Sequence, residues 1–198
     1  MRIAITGNPG VGKHTIAKEI LNQFELSFLD INDIAKKSGL LEVNENTNDV
    51  DVKKLKKIID EKISESSLIV GHLAPYVISP NKIDKVIVLR KNPYDLLEVY
   101  EKRGYTMEKA KENAGSEVLG VIAFDAITKF GSKVFQINST GKSVNQTLDE
   151  ILKIIDNNYS SEKIDWLELI TKKDDLKKFF AYWINNPFWF EYVTCLKF

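Results

Sequence analysis

Short apolar runs alternate along this chain with stretches whose apolar residues recur every three or four positions. The runs "RIAIT" (2–6), "SFLDI" (27–31), "SLIVG" (67–71), "KVIVLR" (85–90) and "KVFQIN" (133–138) have the length and β-branched bias of strands. Between them, "HTIAKEILNQF" sets Ile16, Ile20 and Leu21 on one helical face, and "DVKKLKKIIDEKI" does the same with Val52, Leu55, Ile59 and Ile63. "PYDLLEVYEKR" and "SVNQTLDEILKII" repeat that spacing. Strands alternating with helices predict an α/β fold: a five-stranded parallel sheet with helices on both faces. Residues 32–50, "NDIAKKSGLLEVNENTNDV", are polar and Asn-rich without a strand pattern, so they read as a mobile insertion after the second strand, able to hold a second substrate. There is no internal repeat and no low-complexity linker.

The last forty residues differ in character. They hold all three tryptophans, Trp166, Trp183 and Trp189, together with Phe179, Phe180, Tyr182, Phe188, Phe190, Tyr192 and Phe198. "KKDDLKKFFAYWINN" reads as a helix stopped by Pro187, and "FWFEYVTCLKF" has the composition of a strand. Two roles fit such an aromatic extension: packing on its own domain or on a second copy, or docking to another protein through residues that dominate interface energetics.

Composition narrows the classes. At 198 residues the chain suffices for one sizeable core plus an appendage. A formal net charge of zero gives no electrostatic footprint for nucleic acid, so direct nucleic-acid binding is not expected, and any RNA role would run through a protein partner. A single cysteine, Cys195, excludes an intrachain disulfide. The chain opens on a strand rather than a signal peptide, and no apolar stretch reaches the roughly 20 residues that span a bilayer, so a cytoplasmic protein without membrane association is expected. In that setting the sequons at Asn138 and Asn145 carry no meaning.

The first strand runs into "GNPGVGKHT" (7–15). Closely spaced glycines let successive backbone N–H groups turn toward one anion, and the helix that follows points its unpaired N–H groups and positive dipole end at the same place. G-x-x-x-x-G-K-[ST] fits through Gly7, Gly12 and Lys13, then meets His14 where a hydroxyl is expected, with Thr15 one place later. An ordinary strand-to-helix turn is the plain alternative. Phosphoryl transfer also calls for guanidinium groups, and the chain has only Arg2, Arg90 and Arg103. Arg103 follows a helix and adjoins Gly104, a plausible hinge for a small lid; capping that helix is its structural alternative.

The segments "ITGNPGVGKHTIAKEI", "IVGHLAPY", "VIVLR", "EKRGYTMEKAKENAGSEVLGVI" and "INSTGKSVNQTLDEIL" come in the order found in the adenylate kinase isoenzyme 6 family, which the chain resembles over residues 1–157. The resemblance implies a P-loop NTPase of the nucleoside monophosphate kinase type, with a monophosphate-binding segment at about 30–52, a lid at about 103–115, and residues 158–198 as a C-terminal extension. It implies transfer of the γ-phosphate of ATP to AMP with Mg2+. Through that family's link to a small-subunit ribosomal protein, it also implies a slow ATPase role in ribosome maturation. Carried over by position, Gly10, Gly12, Lys13, His14 and Thr15 would surround the ATP phosphates, His14 through its backbone N–H and Thr15 with its hydroxyl toward the metal. Lys13, His72 and Arg103 would be catalytic, Arg103 also touching ATP. Asp33 would open the monophosphate segment, and Gly141 and Lys142 would lie in the loop passing the adenine.

Two departures bear on rate. Val70 stands where the family's D-x-H motif has its acid, and Val99 where a first lid arginine is usual. Each removes a charge useful in the transition state, and losing one such group costs on the order of 10²-fold. The resemblance therefore leaves open an assembly factor that binds a ribosomal protein under ATP control with weak or no kinase activity, and a nucleotide-binding protein that forms no product.

Overall fold

The computed structural model describes residues 1–43, 48–159 and 161–184. In chain order the first elements are β1 (Arg2–Thr6), α1 (Lys13–Gln23), β2 (Ser27–Asp30), α2 (Ile31–Lys37), β3 (Leu41–Val43), β4 (Asn48–Val50), α3 (Val52–Lys62), β5 (Ser67–Val70), α4 (Ala74–Val77) and β6 (Lys85–Arg90). They are followed by α5 (Pro93–Lys102), α6 (Met107–Leu119), α7 (Val121–Phe130), β7 (Val134–Asn138), α8 (Val144–Ile155), α9 (Trp166–Lys172) and α10 (Leu176–Ile184). Two compact units emerge: Met1–Lys91 with Val121–Ile164, and Asn92–Gly120 with Asp165–Phe198.

The first unit is built on a five-stranded sheet in the order β2-β5-β1-β6-β7, every pair parallel. These are the five strands expected from the apolar runs. Ile3, Ala4, Ile5 and Thr6 of the central strand are fully buried, because a parallel sheet connected by crossover helices has no face left for water. Ala4, Ile69, Val86 and Val88 share one core with Leu55 and Ile59 of α3, Val77 of α4 and Ala123, Ala126 and Phe130 of α7. Of the four residues expected on the buried side of α3, Leu55 and Ile59 are fully buried and Ile63 packs at the edge, while Val52 is exposed.

Residues 32–50 depart from the expectation of an unstructured insertion. They contain most of α2 and an antiparallel β3–β4 pair in which Leu41 stands opposite Val50. The helix forms because the Asp30 carboxylate accepts from the backbone N–H groups of Asn32 and Asp33, and because Asp33 in its first turn and Lys36 and Lys37 in its last suit the helix dipole. α7 also went unpredicted; it directly follows α6, which ends on Gly120 in the left-handed conformation.

The second unit is helical and aromatic. Tyr100 of α5 and Phe179 of α10 are fully buried, and Phe179 meets Tyr94 edge to face with centroids 5.2 Å apart. Gly115 of α6 makes room for Phe180: a Cβ there would come within 3.2 Å of that ring. The indole of Trp166 donates to the buried Glu117 carboxylate at 3.0 Å. The described part of the aromatic extension thus packs on helices of its own chain. α10 occupies the predicted helix; the predicted stop at Pro187 and strand at 188–198 lie outside the described residues. Among the described residues no helix is long and apolar enough to cross a membrane.

Candidate nucleotide-binding site

β1 delivers the chain to the glycine loop at the C-terminal end of the sheet, where open α/β folds bind their ligands. Gly7 is required by close approach: a Cβ there would sit 2.3 Å from the Leu89 carbonyl oxygen of β6. Gly12, at φ 97°, is the N-cap of α1 and provides no side-chain cap, so the first N–H groups of the helix face the loop. Lys13 is buried, and its ammonium donates to the carbonyls of Gly7 at 2.9 Å and Asn8 at 2.8 Å. Those bonds fold the cation back across the loop, next to the backbone groups that would hold a phosphate.

Thr15, Gly12, Val11 and Ile16 line a cavity with Lys142 and Ser139. Lys142 is steered there by Glu150, whose Oε1 lies 2.6 Å from its ammonium, with Glu162 at 3.8 Å. Ser139 joins the two sides: its hydroxyl donates to the carbonyl of Arg90 at 3.0 Å and reaches that of Val11 at 3.4 Å. Ser139 was not singled out from the sequence, although its place directly after the last strand was a signal.

His72 follows β5, and its backbone carbonyl accepts from the Thr6 hydroxyl at 3.5 Å. Burial, with the nearby positive charge of Lys13, pulls its imidazole down to about 4, so at neutral pH it is uncharged. It can therefore accept or donate one hydrogen bond but contributes no cation. The His14 imidazole is exposed and pairs with Asp30, Nε2 to Oδ2 at 2.7 Å. The Asp33 carboxylate is half exposed and pairs with Lys37 one turn along α2 at 2.7 Å. In the second unit Arg103 caps the C-terminus of α5, its N–H bonded to the carbonyls of Val99 and Tyr100, and its side chain is exposed. Lys13, Thr15, Lys142, His72 and His14 thus gather at one end of the sheet unit, whereas Asp33 lies on the outer surface of α2.

The donor chemistry around the loop suits a hard, oxygen-preferring cation. Thr15 offers a hydroxyl and Asp30 a carboxylate, and among the described residues no group of three or more His, Cys, Asp or Glu forms a self-sufficient metal cage. Mg2+ at nucleotide sites is commonly held by one or two protein oxygens together with substrate phosphates and water.

Residues 3–120 match the protein family described as an AAA domain. Relatives bearing the name "Putative adenylate kinase" come from archaea. The one from Thermococcus kodakarensis is 33% identical over 85% of this chain and 94% of its own, and the one from Methanocaldococcus jannaschii is 36% identical over the same shares. That from Methanosarcina barkeri is 33% identical and matched along its entire length. A crystal structure of an uncharacterized protein from Eubacterium ventriosum superposes with a TM-score of 0.51 over 78% of this chain and 97% of its own, at 21% identity, a likeness of fold. With the glycine loop, the parallel sheet and this kinship in sequence, the chain belongs to the adenylate kinase-like family of P-loop nucleotide-binding enzymes.

Proposed function

We propose that this protein is a magnesium-dependent ATP:AMP phosphotransferase, converting ATP and AMP to two ADP. The observation that carries the reading is the buried Lys13 ammonium folded over the carbonyls of Gly7 and Asn8, at the mouth of a helix whose first N–H groups have no side-chain cap. An entering phosphate exchanges two neutral acceptors for an anion, which a cation beside a helix N-terminus strongly favours. The adenylate kinase-like relatives support AMP as acceptor.

In this reading the loop N–H groups and Lys13 bind and orient the ATP phosphates, and the Thr15 hydroxyl is the protein's donor to the metal. Bound there, Mg2+ would neutralise charge on the phosphates undergoing transfer. His72, neutral by burial, orients a phosphate oxygen or a water through one hydrogen bond. Arg103 supplies a guanidinium for the transferred group, and its place beside Gly104 suits a lid that brings it to the nucleotide. Lys142, tethered to Glu150, flanks the base side of the cavity. The segment opened by Asp30 and α2 receives the AMP, with the Asp33 carboxylate as an acceptor for a neutral donor group of the nucleoside.

A second reading rests on one observation: Val70, where a carboxylate would be most useful, is fully buried and apolar. It makes the protein an ATP-controlled assembly factor of the isoenzyme 6 kind, a slow ATPase in the cytoplasm that grips a small-subunit ribosomal protein. Product analysis separates the two. Consumption of one AMP for every two ADP formed supports the kinase; phosphate release independent of AMP supports the assembly ATPase; and tight ATP binding with no product contradicts both.

A further inference from the structure

The sequence lacks an acid at position 70, yet the sheet brings one beside it. β2 and β5 run in parallel register with Asp30 opposite Val70, so the carboxylate stands on the neighbouring strand at the same level of the sheet. Two further contacts fix its location. The Asp30 Oδ2 lies 2.7 Å from Nε2 of His14, the residue occupying the place in G-x-x-x-x-G-K-[ST] where a hydroxyl ordinarily meets the metal. The turn after β5 is also pressed against the start of α2, since a Cβ on Gly71 would come within 2.7 Å of the Ile31 Cβ. Asp30, His14, Val70 and the turn leading to His72 therefore meet at one corner of the phosphate site.

We propose that Asp30, braced by His14, is the carboxylate that accepts hydrogen bonds from the water on nucleotide-bound magnesium, taking the role vacated at Val70. This rests on the phosphate-site reading above. The valence count supports it. An ionised carboxylate has about four acceptor positions. Among the described residues, Asp30 uses two toward the N–H groups of Asn32 and Asp33, at 2.9 and 3.1 Å, and one toward His14, leaving one on a side chain only partly screened from solvent. The backbone bonds and the imidazole hold the carboxylate in one rotamer, as outer-shell partners around metals require. His14 is then a positioning residue: the imidazole has replaced the expected hydroxyl, and the metal's carboxylate is held by it from a different strand.

ATP binding measured by calorimetry, with Mg2+ and with EDTA, tests this on the full chain. Asp30→Asn is the informative variant because asparagine caps a helix nearly as well as aspartate and keeps an oxygen for the same N–H groups. Wild type binds ATP more tightly with Mg2+. In Asp30→Asn that advantage shrinks by about 10–100-fold, the effect typical of outer-shell metal partners, while affinity in EDTA is retained. His14→Ala shows a smaller loss in the same direction, and His14→Gln, which still donates a hydrogen bond, restores most of it. An undiminished magnesium advantage in Asp30→Asn overturns the assignment alone, as does an equal loss of affinity with and without the metal. Failure of the wild type to bind ATP under either condition overturns the phosphate-site reading, and this inference with it.

Discussion

The two units of this chain are held together by different chemistry, and they differ in what a single substitution can do. The sheet unit is an aliphatic core: Ile, Leu, Val and Ala on parallel strands, most of them fully buried, with most of its buried polar residues near the end where the loop forms. Its binding groups are largely backbone N–H and carbonyl, so one side chain there can be removed with little effect on folding. The helical unit is closed by aromatic rings and polar atoms: Tyr94 against Phe179, the Tyr94 hydroxyl on Asp175, and the Trp166 indole on Glu117. There each side chain is both packing and partner, so its removal leaves a hole and breaks a hydrogen bond together. In the described part of the second unit, packing and hydrogen bonding fall on the same side chains.

The sharpest division between the units comes from Lys13→Ala. It lowers turnover by about 10³-fold, as loss of a transition-state cation does, while leaving the thermal midpoint close to that of the wild type. A midpoint lowered as much as turnover would contradict a binding loop independent of the core. Arg103→Ala comes next. Turnover falls by about 10²-fold, and because the side chain is exposed, stability measured by urea unfolding is unchanged; a large fall in stability would return Arg103 to a purely capping role.

In the helical unit the order is reversed, with stability responding before activity. Trp166→Ala costs about 3–5 kcal/mol of unfolding free energy, and Trp166→Phe, which keeps most of the volume but removes the indole donor to Glu117, about 1–3 kcal/mol. Glu117→Gln, which preserves an acceptor, should lie nearest the wild type. If all three unfold alike in urea, the indole bond contributes nothing specific.

The smallest effect is on acid stability. Folding lowers the His72 pKa from 6.5 to about 4, so the unfolded chain binds the extra proton first. The stability that comes from a neutral His72 is complete above about pH 6.5 and is lost progressively as pH falls toward 4. His72→Asn therefore flattens the stability profile between pH 6.5 and 4 by on the order of 1–3 kcal/mol and leaves it parallel to wild type above pH 7. Parallel profiles throughout would exclude His72 as the buried titrating group.

What was legible in the sequence follows the same division. The five strands announced themselves because a parallel sheet covered on both faces needs uninterrupted apolar runs, and the glycine loop because backbone approach leaves a compositional mark. α2 was hidden in polar composition, yet its signals were present: Asp30 as cap, Asp33 in the first turn and two lysines in the last. α9 was equally foreshadowed by Asp165 three residues before Glu168, whose N–H it caps. No local pattern could show that Trp166 would meet Glu117, 49 positions away, or that Asp30 would stand opposite Val70, since register and tertiary pairing are decided by the whole sheet. Reading position 70 alone suggested a lost acid; the sheet shows a carboxylate on the adjoining strand.

The most direct test of the account is ADP formation by the purified full chain with Mg-ATP, run with and without AMP and repeated with Lys13→Ala. The account predicts two ADP for each AMP consumed, dependent on AMP and lost in the variant. ADP production that ignores AMP, or that persists at the wild-type rate without Lys13, would contradict it.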